Sequence, residues 1–193
     1  MGKITVVNNV TLDGVMQAPA RPDEDTRGGF THGGWGIPYQ DSVIAGKMGA
    51  MMASAEGSLL LGRRTYEDFF SVWPKRTDNP YTKHLNKVRK YVASRTLKEP
   101  LPWQNSTLLK GDAADAVAAL KRQDDQSFTI LGSGELIQSL IPRNLIDEYV
   151  LLIFPIVLGT GHRLFPEGES VRLRLVDSLT TPGGVIIATY QAA

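Results

Sequence analysis

Two short stretches, Leu61-Gly62-Arg63-Arg64-Thr65 and Leu131-Gly132-Ser133-Gly134-Glu135, each carry an apolar run through glycine into helix-forming sequence. Glycine lets a backbone approach a ligand closely, and the first turn of a following helix offers unpaired N–H groups at the positive end of its dipole. Phosphate is the chemistry such turns serve, and two of them together suit a pyrophosphate. Neither matches the dinucleotide fingerprint G-x-G-x-x-G, because Ile137 stands where the third glycine would fall, and no G-x-x-x-x-G-K-[ST] sequence occurs. Each turn taken alone also reads as a tight strand-to-helix connection.

Other chemistries are narrowed by residue type. The 193-residue chain has no cysteine, which removes disulfides, thiolate metal sites and cysteine nucleophiles and fits a reducing compartment. His32, His84 and His162 lack metal-ligand spacing and no acidic cluster stands beside them, so no metal is expected. With 21 basic against 20 acidic side chains the net charge is +1, which leaves no global field for nucleic acid or an anionic membrane. The basic stretch from Lys83 to Lys90 reads as a solvated helix surface. The beginning, MGKITVVNNV, lacks a secretory signal pattern, and no apolar run approaches the ~20 residues needed to cross a bilayer, so a cytoplasmic protein is expected.

The elements that must position the two turns follow from periodicity. Strands are predicted over 3–10, 58–62, 90–94, 106–110, 127–131, 146–154, 171–178 and 184–191. Helices are predicted over 40–56, with Asp41 or Ser42 as N-cap and Val43, Ile44, Met48, Met51 and Met52 facing the core. A further helix begins at Thr65, which with Asp68 forms a capping box, and presents Tyr66, Phe69, Phe70 and Trp73 before Pro74. Others cover about 79–87, then a segment capped by Asp112 whose Lys121 and Arg122 suit the dipole, then a short one stopped by Pro142. Residues 11–36, rich in Gly, Pro, Asp and Arg, form a long loop, within which Asp13-Gly14 is a turn. Gly159-Thr160-Gly161 reads as a bulged or wide turn. Strands alternating with helices and then a run of strands imply one α/β domain over 1–193, a mixed sheet covered on both faces.

The two turns, their order and their neighbours resemble the dihydrofolate-reductase-like superfamily, and within it the stand-alone relatives of the C-terminal reductase domain of the riboflavin-biosynthesis deaminase-reductase. The resemblance covers nearly the whole chain and is carried by TLDGVM (11–16), the GGF and THGGW segments (28–35), LLLGRRTYEDF (59–69), KYVASRTL (90–97), ILGSGELIQSL (130–140) and FPIVLGTGHRLFP (154–166). It implies a three-layer α/β/α fold, a dihydrofolate-reductase-like mixed central sheet with helices on both faces, and often a homodimer paired through the late strands. The apolar run Tyr149 to Phe154 is either that pairing surface or a strand buried within one chain.

The same resemblance implies NADPH as cofactor and a small heterocyclic, pterin- or ribosylaminopyrimidine-like substrate reduced at C=N or C=O. Gly62, Arg63, Arg64 and Thr65 correspond to the adenosine-side pyrophosphate turn, and Gly132, Ser133, Gly134, Glu135 and Leu136 to the turn under the nicotinamide-side phosphate. Ser94 and Arg95 fall near the adenosine ribose, where Arg63 and Arg95 would clasp a 2′-phosphate. Asn9 falls beside the carboxamide, and Met16, between Val15 and Gln17, in the loop closing over the ring. Asn8-Asn9 also reads as two polar residues ending a strand. On the substrate side, Trp35 is a stacking surface or a loop anchor, Tyr39 lies nearby, and Asp41 is either the catalytic carboxylate or a helix N-cap. The alternative in a different class is a non-catalytic nucleotide-binding or sensing protein that keeps the reductase fold.

Overall fold

Alternating β-branched residues start the sheet with β1 (Ile4–Thr11), and a long loop with two 3-10 turns leads to α1 (Ser42–Ser54). There follow β2 (Ser58–Gly62), α2 (Arg63–Val72), α3 (Pro80–Lys87), β3 (Arg89–Ala93), β4 (Ser106–Leu109), α4 (Ala113–Gln123), β5 (Phe128–Leu131), α5 (Gly134–Leu140), β6 (Glu148–Phe154), β7 (Leu173–Thr180) and β8 (Ile186–Ala192). The computed structural model describes residues 2–54, 57–76, 80–123 and 125–193. The ends of two predicted helices, at 55–56 and 79, lie outside the described residues, as does the Met52 side chain.

One eight-stranded sheet runs in the order β4-β3-β2-β5-β1-β6-β8-β7. Neighbours from β4 to β6 are parallel, and β8 is antiparallel to both β6 and β7. Alternation along β2 separates the two faces. Leu60 packs with Val117 of α4 and with Leu136, Ile137 and Leu140 of α5. Leu59 and Leu61 face the other way, onto Tyr66 of α2, Leu85 of α3 and Trp103. The same second face continues under α1, where Ile44, Met48 and Met51 meet Val7, Val150 and Ile187. The result is the expected three-layer α/β/α arrangement around a mixed sheet.

Several local expectations are corrected. The helix after β2 begins at Arg63, with Gly62 as N-cap, so Thr65 lies inside its first turn and no capping box forms with Asp68. The Thr65 hydroxyl instead accepts from the Ser133 N–H at 3.0 Å. For the run Tyr149 to Phe154, left open by sequence, the buried-strand reading is realised: it is β6, hydrogen-bonded between β1 and β8 and so interior to the sheet. Lys121 does not serve a helix dipole in solvent: it is buried and paired with Asp147 at 2.5 Å. Lys90, grouped by sequence with a solvated surface, is sealed in the core, where its Nζ donates to the carbonyls of Val88 (2.8 Å) and Gln104 (3.1 Å) over the Trp103 ring.

Candidate active site

Adjacent parallel strands β2 and β5 send their following helices to opposite faces, α2 to one and α5 to the other. At such a switch point the connections part and leave a crevice at the carboxyl ends of the strands. The two glycine turns stand on either side of it and are tied to each other. Ser133 Oγ accepts from the Gly62 N–H at 3.0 Å, and the Ser133 N–H donates to Thr65 Oγ1 at 3.0 Å. One N–H of each turn is therefore used to hold the other turn, leaving the later amides of each helix start to face a ligand.

The glycines differ in what requires them. Gly132 has φ +57 and is followed by Ser133 at φ 56, ψ 43, two successive left-handed residues that bend the chain sharply into α5. At Gly134 a Cβ would come within 2.6 Å of Met16 Sδ, so the flexible end of Met16 would have to swing aside for any larger residue. Gly62 is required by neither: its backbone is extended at φ −75, ψ 158, and a Cβ would meet nothing closer than 3.7 Å. Glycine there serves as the N-cap of α2 and leaves the backbone open to an approaching ligand. Leu136 packs into the core beside it.

Cations line the same edge of the sheet. Gly62 is the register partner of Ala93, and Ala93 of Leu109, so Arg63, Ser94-Arg95 and Lys110 leave three neighbouring strands at one end. Arg63 pairs with Glu67 one turn along α2 at 2.8 Å. Ser94 Oγ accepts from the N–H groups of Thr96 and Leu97, which turns the chain so that Ser94, Arg95, Leu97, Leu108 and Lys110 line a depression of about 540 Å3. A larger one, about 770 Å3, lies beside Trp103 and Asn105, away from both glycine turns, so volume alone does not locate the site. Glu135 and Arg64 flank the crevice, with Arg64 Nε 3.8 Å from Glu135 Oε1.

The end of β1 and the loop after it close the crevice. Asn8, half of the pair Asn8-Asn9 that sequence left between strand end and cofactor contact, is buried and donates from Nδ2 to the Gly132 carbonyl at 3.2 Å, with Met16 Sδ at 3.7 Å. Asn9, half-buried, points to the other face by strand alternation, the face of Val7 and α1. Gln17 is a buried hub: Nε2 donates to the carbonyls of Asp25 and Arg27, and Oε1 accepts from the His162 N–H. Asp13 accepts from the Thr11 hydroxyl and from the N–H groups of Leu158 and Gly159, and the Thr11 hydroxyl above all lowers its pKa. Asp13 thus fastens the Gly159 to Gly161 turn.

On the substrate side, Trp35 is 6% exposed, donates from Nε1 to the Gln17 carbonyl at 2.7 Å and meets Phe154 edge-on. It anchors the loop and offers no open stacking face, which is the loop-anchor reading of the two the sequence left open. Tyr39 packs edge-on against the same Phe154. Asp41 caps α1: its Oδ1 accepts from the N–H groups of Val43 and Ile44, both at 2.9 Å, while Oδ2 lies against Gly183 of the β7–β8 turn. The Ile44 hydrogen bond foremost holds its carboxyl below the usual carboxylate range. Of the two readings of Asp41, the structure realises the cap.

Among the described residues no group of three or more His, Cys, Asp or Glu side chains could hold a metal ion, and no helix is long and apolar enough to cross a membrane. The signals for Asn8 and Lys110 were present in sequence only as strand-end polar residues, and the Gly132 partner of Asn8 lies far along the chain.

Residues 2–187 match the family model described as the RibD C-terminal domain. The chain is 31% identical to the uncharacterized protein YyaP of Bacillus subtilis (strain 168) over 140 residues, 69% of this chain and 73% of that protein. The uncharacterized protein YwjB of the same organism is 24% identical over 157 residues, 68% of this chain and 86% of its own. Among solved structures, a Shewanella sp. PV-4 protein named for riboflavin biosynthesis superposes with a TM-score of 0.69 at 24% identity, covering 99% of both chains. A pyrimidine reductase-like protein from Corynebacterium diphtheriae gives 0.67 at 13% identity, covering 100% of this chain and 92% of its own. Dihydrofolate reductase from Enterococcus faecalis, complexed with NADP(H), gives 0.61 at 14%, covering 99% and 96%. The fold is that of dihydrofolate reductase.

Proposed function

The chain belongs to the RibD C-terminal domain family, and from that membership we propose that it is an NADPH-dependent reductase delivering hydride to a C=N or C=O of a small heterocyclic, pterin- or ribosylaminopyrimidine-like substrate. The observation that carries the reading is the pair of interlocked glycine turns at the switch point, with Gly62 demanded by neither its backbone nor its neighbours. A pyrophosphate fits between such turns, held by backbone amides and by Arg64. The depression lined by Ser94, Arg95, Lys110 and Asp112 suits an adenosine, and Arg95 and Lys110 on it, with Arg63 at the neighbouring strand end, are assigned to a 2′-phosphate. That favours NADPH over NADH.

Bound NADPH supplies the hydride, and the chain supplies orientation and exclusion of water. Asn9, near the end of β1 on the face of Val7 and α1, is assigned to the carboxamide, and Met16, whose sulfur lies against Gly134, to the loop that covers the ring. Asp13 is committed to structural hydrogen bonds as a carboxylate, and Asp41 caps α1 through Oδ1 while its Oδ2 is buried without a hydrogen-bond partner among the described residues; the proton is assigned to water reaching the crevice. The reading includes a cytoplasmic setting, in keeping with a chain free of cysteine. It also includes a homodimer, supported by Leu175, Val176 and Leu179 exposed on the edge strand β7.

Tryptophan fluorescence and calorimetry with NADPH and NADH test the cofactor, and a substrate panel of pterins, dihydrofolate and ribosylaminopyrimidines tests turnover. Saturable NADPH binding that Arg95→Ala and Lys110→Ala weaken more than NADH binding supports the reading. Absence of binding by both methods refutes it, and binding without turnover on the whole panel favours a non-catalytic nucleotide-binding role.

A further inference from the structure

Arg27 stands on the long loop between β1 and α1, yet its guanidinium reaches across to α5. Its Nη1 donates to Glu135 Oε1 at 2.6 Å, while Nε and Nη2 are gripped by Asp25 at 2.8 and 2.6 Å. The loop backbone on which it sits is fixed in turn, because buried Gln17 Nε2 donates to the carbonyls of Asp25 and Arg27. Arg64 Nε, from the first turn of α2, approaches the same Glu135 oxygen to 3.8 Å. Two guanidinium groups from elements on different sides of the crevice therefore converge on one carboxylate, whose residue directly follows the Gly132-Ser133-Gly134 turn.

The carboxylate is an easily exchanged partner. Glu135 is 76% exposed, so water competes for it and its ion pairs hold weakly. The Arg27 side chain is 30% exposed and its guanidinium is pre-oriented by Asp25, so little freedom is lost when it changes acceptor. A phosphate offers more charge than one carboxylate and accepts the same planar fork. Like charges cannot share that space: a phosphate beside the turn repels Glu135 and attracts Arg27 and Arg64.

We propose that Arg27 is a loop-borne phosphate-binding residue of this site and that Glu135 is its intramolecular competitor, so that cofactor uptake exchanges the Glu135 pair for a phosphate pair and fastens the loop across the crevice. The inference rests on the NADPH reading above and reassigns Glu135, predicted as a cofactor contact, to the opposite role. Met16 rides on the same loop, its sulfur against Gly134, so fastening Arg27 also fixes the cover of the turn.

Calorimetric titration of the full chain and its variants with NADPH and with NADH tests this. Arg27→Ala is expected to weaken both nucleotides about tenfold and by the same ratio, the scale of one charge-assisted hydrogen bond, since the contact is to the phosphates they share. Glu135→Gln, which keeps the shape and removes the charge, is expected to tighten both about threefold or more. Hydrogen exchange of residues 25–30 in Glu135→Gln without nucleotide should be faster than in the wild type, a readout of the latch that needs no cofactor. Wild-type affinity in Arg27→Ala, or unchanged or weaker binding in Glu135→Gln, overturns the inference and leaves the reductase reading standing. If the wild type binds neither nucleotide, that reading falls and takes this one with it.

Discussion

Ser133 is where the two halves of the crevice are most exposed to a single substitution. Its hydroxyl accepts from the Gly62 N–H and donates to the Leu131 carbonyl, both at 3.0 Å, and the residue is 8% exposed. Ser133→Ala removes both bonds and leaves a shielded donor without a partner, which costs about 1–3 kcal/mol. The left-handed backbone at φ 56, ψ 43 is unchanged by alanine, so its strain stays. Ser133→Gly loses the same hydroxyl but relieves that strain, worth about 1 kcal/mol, and should therefore recover about that much relative to alanine. Urea unfolding with an unchanged m-value reads both, and thermal midpoints should fall by about 2–4 °C per kcal/mol for a chain of this size. NADPH affinity should drop in both variants because the turns lose their mutual register. Ser133→Ala within about 0.5 kcal/mol of the wild type, or a glycine variant less stable than the alanine one, would refute the interlock.

Burial pushes the Lys90 amine down to about 8, so between that pH and its ordinary value near 10.4 the unfolded chain binds the extra proton and stability rises with pH. Measured against Lys90→Met, which cancels the buried Tyr149 phenol pushed up to about 12, the wild type should gain up to about 3 kcal/mol from pH 7.5 to 10.5 in urea unfolding, and a flat difference would contradict the assignment. Asp41→Asn keeps a good N-cap and should leave stability and turnover near wild type; turnover lost at full stability would restore Asp41 to catalysis. Tyr66→Phe strips the acceptor from the buried Trp103 N–H and should cost about 1–3 kcal/mol by the same denaturation measurement, with an unchanged midpoint as the contrary result.

Strand and helix positions were legible because alternation and glycine punctuation are local properties: β2 was read at its observed bounds and β1 within one residue at each end. The turn pair was legible for the same reason. What escaped depends on distant partners. Thr65 looked like a cap because its true partner, the Ser133 amide, is remote in sequence. Lys90 looked solvated because the carbonyl and the indole ring that bury it belong to residues 103–104. Trp35 stayed open between stacking platform and loop anchor because nothing in its neighbourhood announces that Gln17 will take its N–H. Arg27 carried no signal at all, since its significance comes from Glu135.

The position of β1 has a consequence for how the molecule is made. It precedes the other strands of the sheet along the chain and lies at the centre of the sheet, yet its two hydrogen-bonded neighbours start at Phe128 and Glu148. Until those segments leave the ribosome both of its edges stay open, while β2 and β3 can already pair with each other. Such non-local closure predicts slow folding and a vulnerable nascent chain. It also means that the crevice, whose walls are the ends of β2, β5 and β1, cannot exist on any partial chain. A nucleotide can therefore reward only the finished sheet, acting as a late stabiliser and not as a template for folding.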